Sequence, residues 1–131
     1  MVTGISSEKY VRLTTFTKDG RRKKTPVWIA DLDGRAVGFT AGADTWKVKR
    51  IRTTPAVELA PSDGRGRVKD GVPTITGTAR VVTDAEANYA RIESALIAKY
   101  GFQFRLFRVA TKIRKRIGLS EDLCGIVITL D

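Results

Sequence analysis

Residues 40–50 read TAGADTWKVKR, and this stretch decides the fold. A strand-like run before it, residues 37–40, is broken at Gly42, and either Asp44 or Thr45 is typical of a helix N-cap. The stretch therefore predicts a strand that turns directly into a short helix over about residues 44–53. The helix is expected to end before Pro55, since the residue that precedes a proline avoids the helical conformation.

Three cations lie in or near the first turn of this predicted helix: Lys47, Lys49 and Arg50. The helix dipole is positive at that end, so each cation costs about a few tenths of a kcal/mol. A bound phosphate would reverse the cost, because it would meet the free backbone N–H groups and the cations together. The alternative is three solvated side chains on a surface helix. Lys47 and Arg50 are three residues apart and share a face, whereas Lys49 points elsewhere.

Apolar alternation and turn residues predict six strands and two further helices. The predicted strands cover residues 10–17, the region around 27–30, and residues 35–41, 56–61, 74–83 and 124–130. A capping box from Thr83 to Glu86 predicts a helix to Tyr100, which Gly101 ends, and residues 102–117 continue as a second helical segment. The order β-β-β-α-β-β-α-α-β is typical of an antiparallel barrel with helices packed outside. We therefore expect one mainly β (α+β) domain over residues 1–131.

The chain is strongly basic and contains no histidine. Its 131 residues carry a formal net charge of +10. Such a charge indicates an anionic partner: nucleic acid, an acidic lipid surface or a polyanionic small molecule, with solubility alone as the alternative. The missing histidines remove His-based acid–base catalysis and most zinc and copper sites. An enzyme of this composition would take its reactivity from a bound cofactor.

The one cysteine and the N-terminal sequence bear on location. Cys124 lies in a predicted apolar strand, where we expect a core residue. One cysteine forms no intrachain disulfide, which favours a reducing compartment. The sequence shows no signal-peptide pattern and no apolar run near the ~20 residues of a membrane span. A cytoplasmic location is therefore expected.

The second helical segment, FQFRLFRVATKIRKRIG, is amphipathic. An apolar stripe contains Phe102, Leu106, Val109, Ile113 and Ile117. Basic residues lie largely off that stripe: Arg105, Arg108, Lys112, Lys115 and Arg116. One interpretation is a helix that faces the core and exposes a basic side. The others are a weak association with an anionic membrane through residues 102–117, or a surface for nucleic acid, although no nucleic-acid partner is expected.

Three motifs in order, KTPVWIA, TAGADTWKVKRIRTTPAVELAP and TGTARVV, resemble the flavin/deazaflavin oxidoreductases, the pyridoxamine 5′-phosphate oxidase-like group. The sequence is most similar to the actinobacterial branch that uses the deazaflavin coenzyme F420 (group B). The resemblance covers about residues 8–83 well and the C-terminal helices in outline. It implies a split β-barrel that forms homodimers, with the sites at the interface and residues 77–82 in that region.

In this family the helix after the third strand binds the cofactor phosphate, and a T-P-V-W strand lies along the tricyclic ring. The matching positions are Thr25, Pro26, Val27 and Trp28 for the ring, Lys47, Lys49 and Arg50 for the phosphate, Thr40 and Gly42 beside it, and Ser62 and Asp63 in the same pocket. For Val27 and Trp28, core packing is the alternative. No catalytic side chain and no metal ligand is assigned.

The activity that the resemblance implies is hydride transfer from reduced coenzyme F420 to an electron-poor small molecule. The coenzyme carries a phosphodiester and an oligoglutamate tail, which suits a basic protein. Residues 21–24, with Arg65, Arg67 or Lys69, could follow that tail. The proton that accompanies the hydride would come from solvent, Tyr10, Tyr89 or Tyr100. The alternatives are an FMN-binding oxidoreductase of the same superfamily, a cofactor-binding protein without turnover, and a basic module for nucleic acid or membrane.

Overall fold

The computed structural model describes residues 4–32, 34–83, 86–116 and 123–131. The elements within these ranges are a 3-10 turn (Gly4–Ser7), β1 (Tyr10–Phe16), β2 (Arg22–Val27), β3 (Ala30–Asp31), β4 (Ala36–Gly42), α1 (Trp46–Thr53), β5 (Ala56–Ser62), β6 (Ile75–Val82), α2 (Ala87–Tyr100), α3 (Phe102–Arg116) and β7 (Leu123–Leu130). Asp33, Asp84, Ala85 and Ile117, which belong to predicted turns, caps and the stripe, lie outside the described residues.

The strands form one curled antiparallel sheet in the order β2-β1-β5-β6-β7-β4-β3. β2 and β3 lie at opposite ends of this order, although only Trp28 and Ile29 separate them in the chain. The three Cα–Cα steps from Val27 to Ala30 span at most about 11 Å, so the sheet must curl until its two ends are close. The result is a split β-barrel with flanking helices, which confirms the predicted fold class.

The predicted second strand, around Val27 to Ala30, is wrong in position. β2 runs from Arg22 to Val27 and pairs with β1, with Val27 opposite Val11. It is an edge strand rich in exposed basic residues, a composition that protects edges and hides the apolar alternation of a strand. Ile29 is buried because the chain passes there between the two ends of the sheet.

Two apolar clusters hold the fold. The barrel interior contains inward residues of the long strands, among them Val11, Phe39 and Ile126. Val48 and Ile51 of α1 are buried in the same cluster, so this helix closes one end of the barrel. The second cluster lies outside the sheet, where α2 and α3 pack; it contains Ala30, Leu32, Val82, Tyr89, Ile92, Leu96 and Phe104. Cys124 is buried, as predicted.

The boundaries of α2 differ from the prediction at one end. Its N-cap is Glu86, not Thr83, and the helix begins at Ala87. One half of the capping box still forms, because the Glu86 carboxylate accepts a hydrogen bond of 2.7 Å from the Thr83 backbone N–H. The helix ends at Tyr100 as predicted. Gly101 follows with φ +60° and ψ −127°, a conformation open in practice only to glycine.

The interpretation of α3 as a helix whose apolar stripe faces the core is wrong. Phe102, Leu106, Val109 and Ile113 are all more than half exposed, and Phe104 is the residue that enters the outer cluster. Because Phe104 packs against the protein, the predicted stripe lies on the opposite, exposed side of the helix.

Within the described ranges, none of the helices combines the length and the apolar character needed to cross a bilayer.

Candidate functional site

The start of α1 is a concentration of positive charge without a side-chain cap. Thr45 is the N-cap, in agreement with one of the two predicted residues, but its hydroxyl donates to the Gly42 carbonyl at 2.8 Å instead of accepting from the helix. The first turn of the helix contains no acidic residue. An anion placed here would accept hydrogen bonds from free backbone N–H groups and would meet the positive end of the dipole.

The core fixes which side chains surround this point. Val48 and Ile51 are buried under the barrel, which sets the rotation of α1. Lys47 and Arg50 directly precede these two buried residues in the sequence. Both therefore lie beside the buried face of the helix, on the same side, and both are half-buried. The Arg50 guanidinium donates to the Thr15 hydroxyl at 3.3 Å, which orients it. Burial, and secondarily the Arg50 charge, lowers the pKa of Lys47.

A shallow cationic cavity of about 290 Å³ lies between β2 and the start of α1. Its lining residues are Lys23, Lys24, Thr25, Thr45, Trp46, Lys47 and Arg50. Four of these are cations and none is acidic. The cavity therefore has the hydroxyl groups, the charge and the helix terminus that suit a phosphate.

A second cavity of about 420 Å³ adjoins the first, and Lys47 lines both. Its lining residues are Tyr10, Pro26, Val27, Trp28, Thr40, Ala41, Gly42, Lys47, Gly64, Leu96 and Phe107. The walls are mostly apolar and aromatic, with polar groups at few points. This volume and this lining are typical of a small-molecule pocket, for which about 300–1,000 Å³ is usual.

Trp28 is held firmly in the wall of this cleft. Its ring stacks on Tyr100 with a centroid separation of 4.8 Å and an interplanar angle of 12°, and Phe107 lies at 6.4 Å. The Tyr100 hydroxyl accepts from the Ile29 backbone N–H at 3.1 Å and donates to the Lys9 carbonyl at 2.7 Å. Burial raises the pKa of Tyr100. Trp28 therefore both packs and lines the cleft, so the two alternatives for it are compatible.

Eight of the predicted site residues line these two cavities, and three do not. Thr25, predicted beside the ring, lines the cationic cavity, whereas Thr40 and Gly42, predicted beside the phosphate, line the apolar cleft. Lys49 is exposed and its Nζ lies 4.7 Å from the centroid of the Trp46 ring. Ser62 and Asp63 line a separate cavity of about 520 Å³ together with Arg67. There the Asp63 carboxylate accepts hydrogen bonds from the Arg65 and Arg67 backbone N–H groups at 2.8 and 3.0 Å, which lower its pKa. Its role in the structure is to shape the turn.

The basic run at residues 21–24 divides into two parts. Arg21 and Arg22 form ion pairs with Asp19 and Glu58, respectively. Lys23 and Lys24 instead line the cationic cavity beside Lys47. The hypothesis drawn from the family resemblance associates all four with a coenzyme tail. The sequence signal for the difference is that Lys23 and Lys24 directly precede the T-P-V-W motif.

Several lining residues were not predicted from the sequence. Gly64 lies against the Tyr10 ring, and Leu96 and Phe107 come from the C-terminal helices. No local motif marks these residues, since only tertiary packing brings α2 and α3 to the cleft. Of the three tyrosines considered as proton donors, Tyr10 lines the cleft, Tyr89 packs in the outer cluster and Tyr100 stacks on Trp28.

An antiparallel split barrel with a ring-sized apolar cleft beside a cationic helix start defines a class of cofactor-binding barrels. The sequence matches the family described as pyridoxamine 5′-phosphate oxidase over residues 1–118, and the chain belongs to that family. No curated protein matches the sequence.

Solved structures share the fold at low sequence identity. An F420 reductase is 20% identical with a TM-score of 0.61, over 100% of this chain and 96% of that one. A candidate pyridoxamine 5′-phosphate oxidase from Listeria innocua is 18% identical with a TM-score of 0.58, over 97% and 87%. HutZ, a heme storage protein from Vibrio cholerae, is 10% identical with a TM-score of 0.64, over 95% and 82%. These similarities establish the fold alone.

Proposed function

We propose that this protein is a coenzyme F420-dependent reductase that passes a hydride from the reduced deazaflavin to an electron-poor small molecule. The main support for the proposal is that the two cavities meet at Lys47, which lines both of them. An apolar cleft and a cationic cavity meet there, which suits a ligand with a planar aromatic head and an anionic chain. Flavins and deazaflavins have this shape and charge distribution.

The side chains present fit such a group. Pro26, Val27 and Trp28 would lie along the ring, and the Tyr100 stack would hold Trp28 in place. Lys47 and Arg50 would donate to the phosphate, beside the free N–H groups of α1. The bound deazaflavin would supply the hydride chemistry. The chain's own contribution would be binding, orientation and exclusion of water.

Two features of the charge favour coenzyme F420 over FMN. Lys23 and Lys24 extend the cationic cavity beyond the two cations that a monoester phosphate would need. The net charge of +10 also suits a ligand with a polyanionic tail. The assignment to the actinobacterial F420 branch belongs to the same proposal.

For the proton that follows the hydride, Tyr10 is the tyrosine placed to act. It lines the cleft, whereas the Tyr100 hydroxyl is already bonded to backbone groups of Lys9 and Ile29. Solvent is the other source. The O–H of a tyrosine side chain can act as a proton donor.

We also propose that two copies of the chain assemble and complete the site. Trp46 supports this, since it lines the cationic cavity and yet is 69% exposed. Covering the exposed Trp46 ring by a partner would remove apolar area from water, which favours association.

FMN binding is the second candidate, because the start of α1 suits a monoester phosphate as well. Heme is a third, since HutZ shares the fold. The chain has no histidine, and its cysteine is buried, so the common axial ligands of heme iron are scarce here.

The test is an equilibrium titration of the purified protein with oxidised coenzyme F420, with FMN and with hemin, each followed by ligand absorbance or fluorescence. The proposal expects saturable binding of coenzyme F420 that is at least about tenfold tighter than binding of FMN or hemin. Tighter binding of FMN would keep the phosphate site and overturn the coenzyme. Saturable binding without oxidation of the reduced coenzyme by any acceptor would indicate a binding protein.

A further inference from the structure

The exposed side of α3 carries an apolar stripe that nothing in the described part of the chain covers. Phe102, Leu106, Val109 and Ile113 are 73%, 53%, 55% and 56% exposed. Their spacing of three and four residues places them on one face. Phe104, which is 1% exposed, lies about 160° around the helix from Leu106 at about 100° per residue. The stripe therefore points away from the protein body.

The same helix is basic throughout. Its sequence, FQFRLFRVATKIRKR, contains six Lys or Arg residues and no Asp or Glu. Arg105, Lys112 and Arg116 are exposed, and their positions fall along one border of the apolar stripe. Arg108 is different, because its guanidinium is 3.2 Å from the Glu93 carboxylate of α2 and ties the helix to the body. The exposed surface thus combines an apolar stripe with a cationic border.

The charge selects among the surfaces that could cover this stripe. A second copy docked stripe to stripe would bring two cationic borders together, and α3 offers no acidic residue to neutralise them. A nucleic acid would use the cations but would leave four large apolar side chains in water, since duplex recognition depends mainly on phosphate contacts. An anionic bilayer uses both features, because the apolar face enters the acyl boundary while the Lys and Arg heads meet acidic headgroups.

We propose that the α3 surface docks on an anionic lipid bilayer, with the helix axis in the plane of the interface. The Arg108–Glu93 pair and burial of Phe104 hold the helix against the barrel, so docking needs no unfolding. Phe107 of the same helix lines the cleft beside Trp28, so docking also holds the cleft close to the lipid surface. The inference rests on the surface of α3 and is independent of which cofactor the cleft binds.

The experiment is co-sedimentation of the full chain with vesicles of phosphatidylcholine that contain 30% phosphatidylglycerol, compared with vesicles of phosphatidylcholine alone. The expected result is binding to the anionic vesicles and little binding to the neutral ones. Leu106→Ser with Ile113→Ser should weaken binding at least about tenfold, because the apolar contribution is lost. Arg105→Gln with Lys112→Gln should weaken it about 30-fold at low salt, since each cation near an anionic surface contributes about fivefold.

A matched control removes the same charge elsewhere. Lys18→Gln with Arg35→Gln also lowers the net charge by two, and both side chains are exposed outside α3. This variant should bind the anionic vesicles within about twofold of the wild type. A loss equal to that of Arg105→Gln with Lys112→Gln would show that total charge, rather than α3, drives binding, and would overturn the proposal. Circular dichroism of each variant separates loss of binding from loss of fold.

Two other outcomes also contradict the proposal. If Leu106→Ser with Ile113→Ser converts a dimer to a monomer in analytical ultracentrifugation without vesicles, the stripe is an interface between copies. If the wild type leaves both vesicles unbound and binds a 30-base-pair duplex DNA, with the loss confined to Arg105→Gln and Lys112→Gln, the surface serves nucleic acid.

Discussion

Removal of the Lys47 charge is expected to weaken coenzyme binding without weakening the fold. Lys47→Met keeps an unbranched apolar chain out to Cε, with sulfur in place of Cδ, and removes the ammonium group of this half-buried side chain. A charge-assisted hydrogen bond to a phosphate contributes about 1.5–3 kcal/mol. A loss of about 2 kcal/mol corresponds to about a 30-fold higher Kd for coenzyme F420.

The effect on the protein without ligand has the opposite sign. Lys47 lies at the positive end of α1, and its pKa is lowered by burial and by the charge of Arg50. A cation at this end costs about 0.3–1 kcal/mol, and like charges one helical turn apart add about 0.2–0.5 kcal/mol. The free energy of unfolding of Lys47→Met should therefore equal or slightly exceed that of the wild type. A loss of coenzyme affinity without a loss of stability distinguishes a residue that binds the ligand from one that supports the fold.

The assay pairs a fluorescence titration with coenzyme F420 and urea denaturation of the same samples. Lys49→Met is the matched control, since Lys49 shares the helix and the charge but lies over Trp46, outside both cavities. It should bind within about twofold of the wild type. The reasoning fails if Lys47→Met binds like the wild type, or if Lys49→Met loses as much affinity as Lys47→Met.

Three further predictions concern pH, the support of the cleft and the barrel. Coenzyme affinity should fall as the pH of a titration series rises into the alkaline range. The reason is that a bound anion raises the pKa of Lys47, so a neutral Lys47 binds the coenzyme less well. A flat profile up to about pH 11 would contradict this. Tyr100→Phe keeps the stack on Trp28 but leaves the Ile29 backbone N–H without its 3.1 Å acceptor. It should lower the free energy of unfolding in urea by about 1–3 kcal/mol. An unchanged urea midpoint would show that this hydrogen bond is not formed. Gly77→Ala would place a Cβ 2.8 Å from the Thr129 carbonyl oxygen. It should lower the free energy of unfolding in urea by about 1–3 kcal/mol. An unchanged free energy of unfolding would show that β6 and β7 can move apart to make room for the methyl group.

The sequence predicts the barrel well where apolar alternation and turns agree. β4, α1 and β5 are found close to their predicted bounds because Gly42 and Pro55 break the chain at fixed points. The second strand is predicted in the wrong place because part of the apolar segment around Val27 to Ala30 forms the link between the two ends of the sheet. The exposure of the α3 stripe could not be predicted, since a helix with two apolar sides gives no local sign of which one packs; only the burial of Phe104 decides it.

The candidate site shows a similar division. The rotation of α1 follows from apolar residues at Val48 and Ile51, so the shared side of Lys47 and Arg50 is predictable from spacing. Lys23 and Lys24 reach the same cavity only because β2 lies at the sheet edge beside α1. The contact between β2 and α1 is a property of the curled sheet, and its one local sign is the position of Lys23 and Lys24 directly before the T-P-V-W motif.

The most direct measurement is a crystal structure of the protein grown with saturating coenzyme F420. We predict density for the ring along Pro26, Val27 and Trp28, with the phosphate within about 3.2 Å of the Lys47 ammonium and the Arg50 guanidinium. Coenzyme bound in the cavity beside Ser62 and Asp63, or density with the phosphate away from α1, would contradict the proposed site. A cleft free of coenzyme at saturation would contradict the proposed function itself.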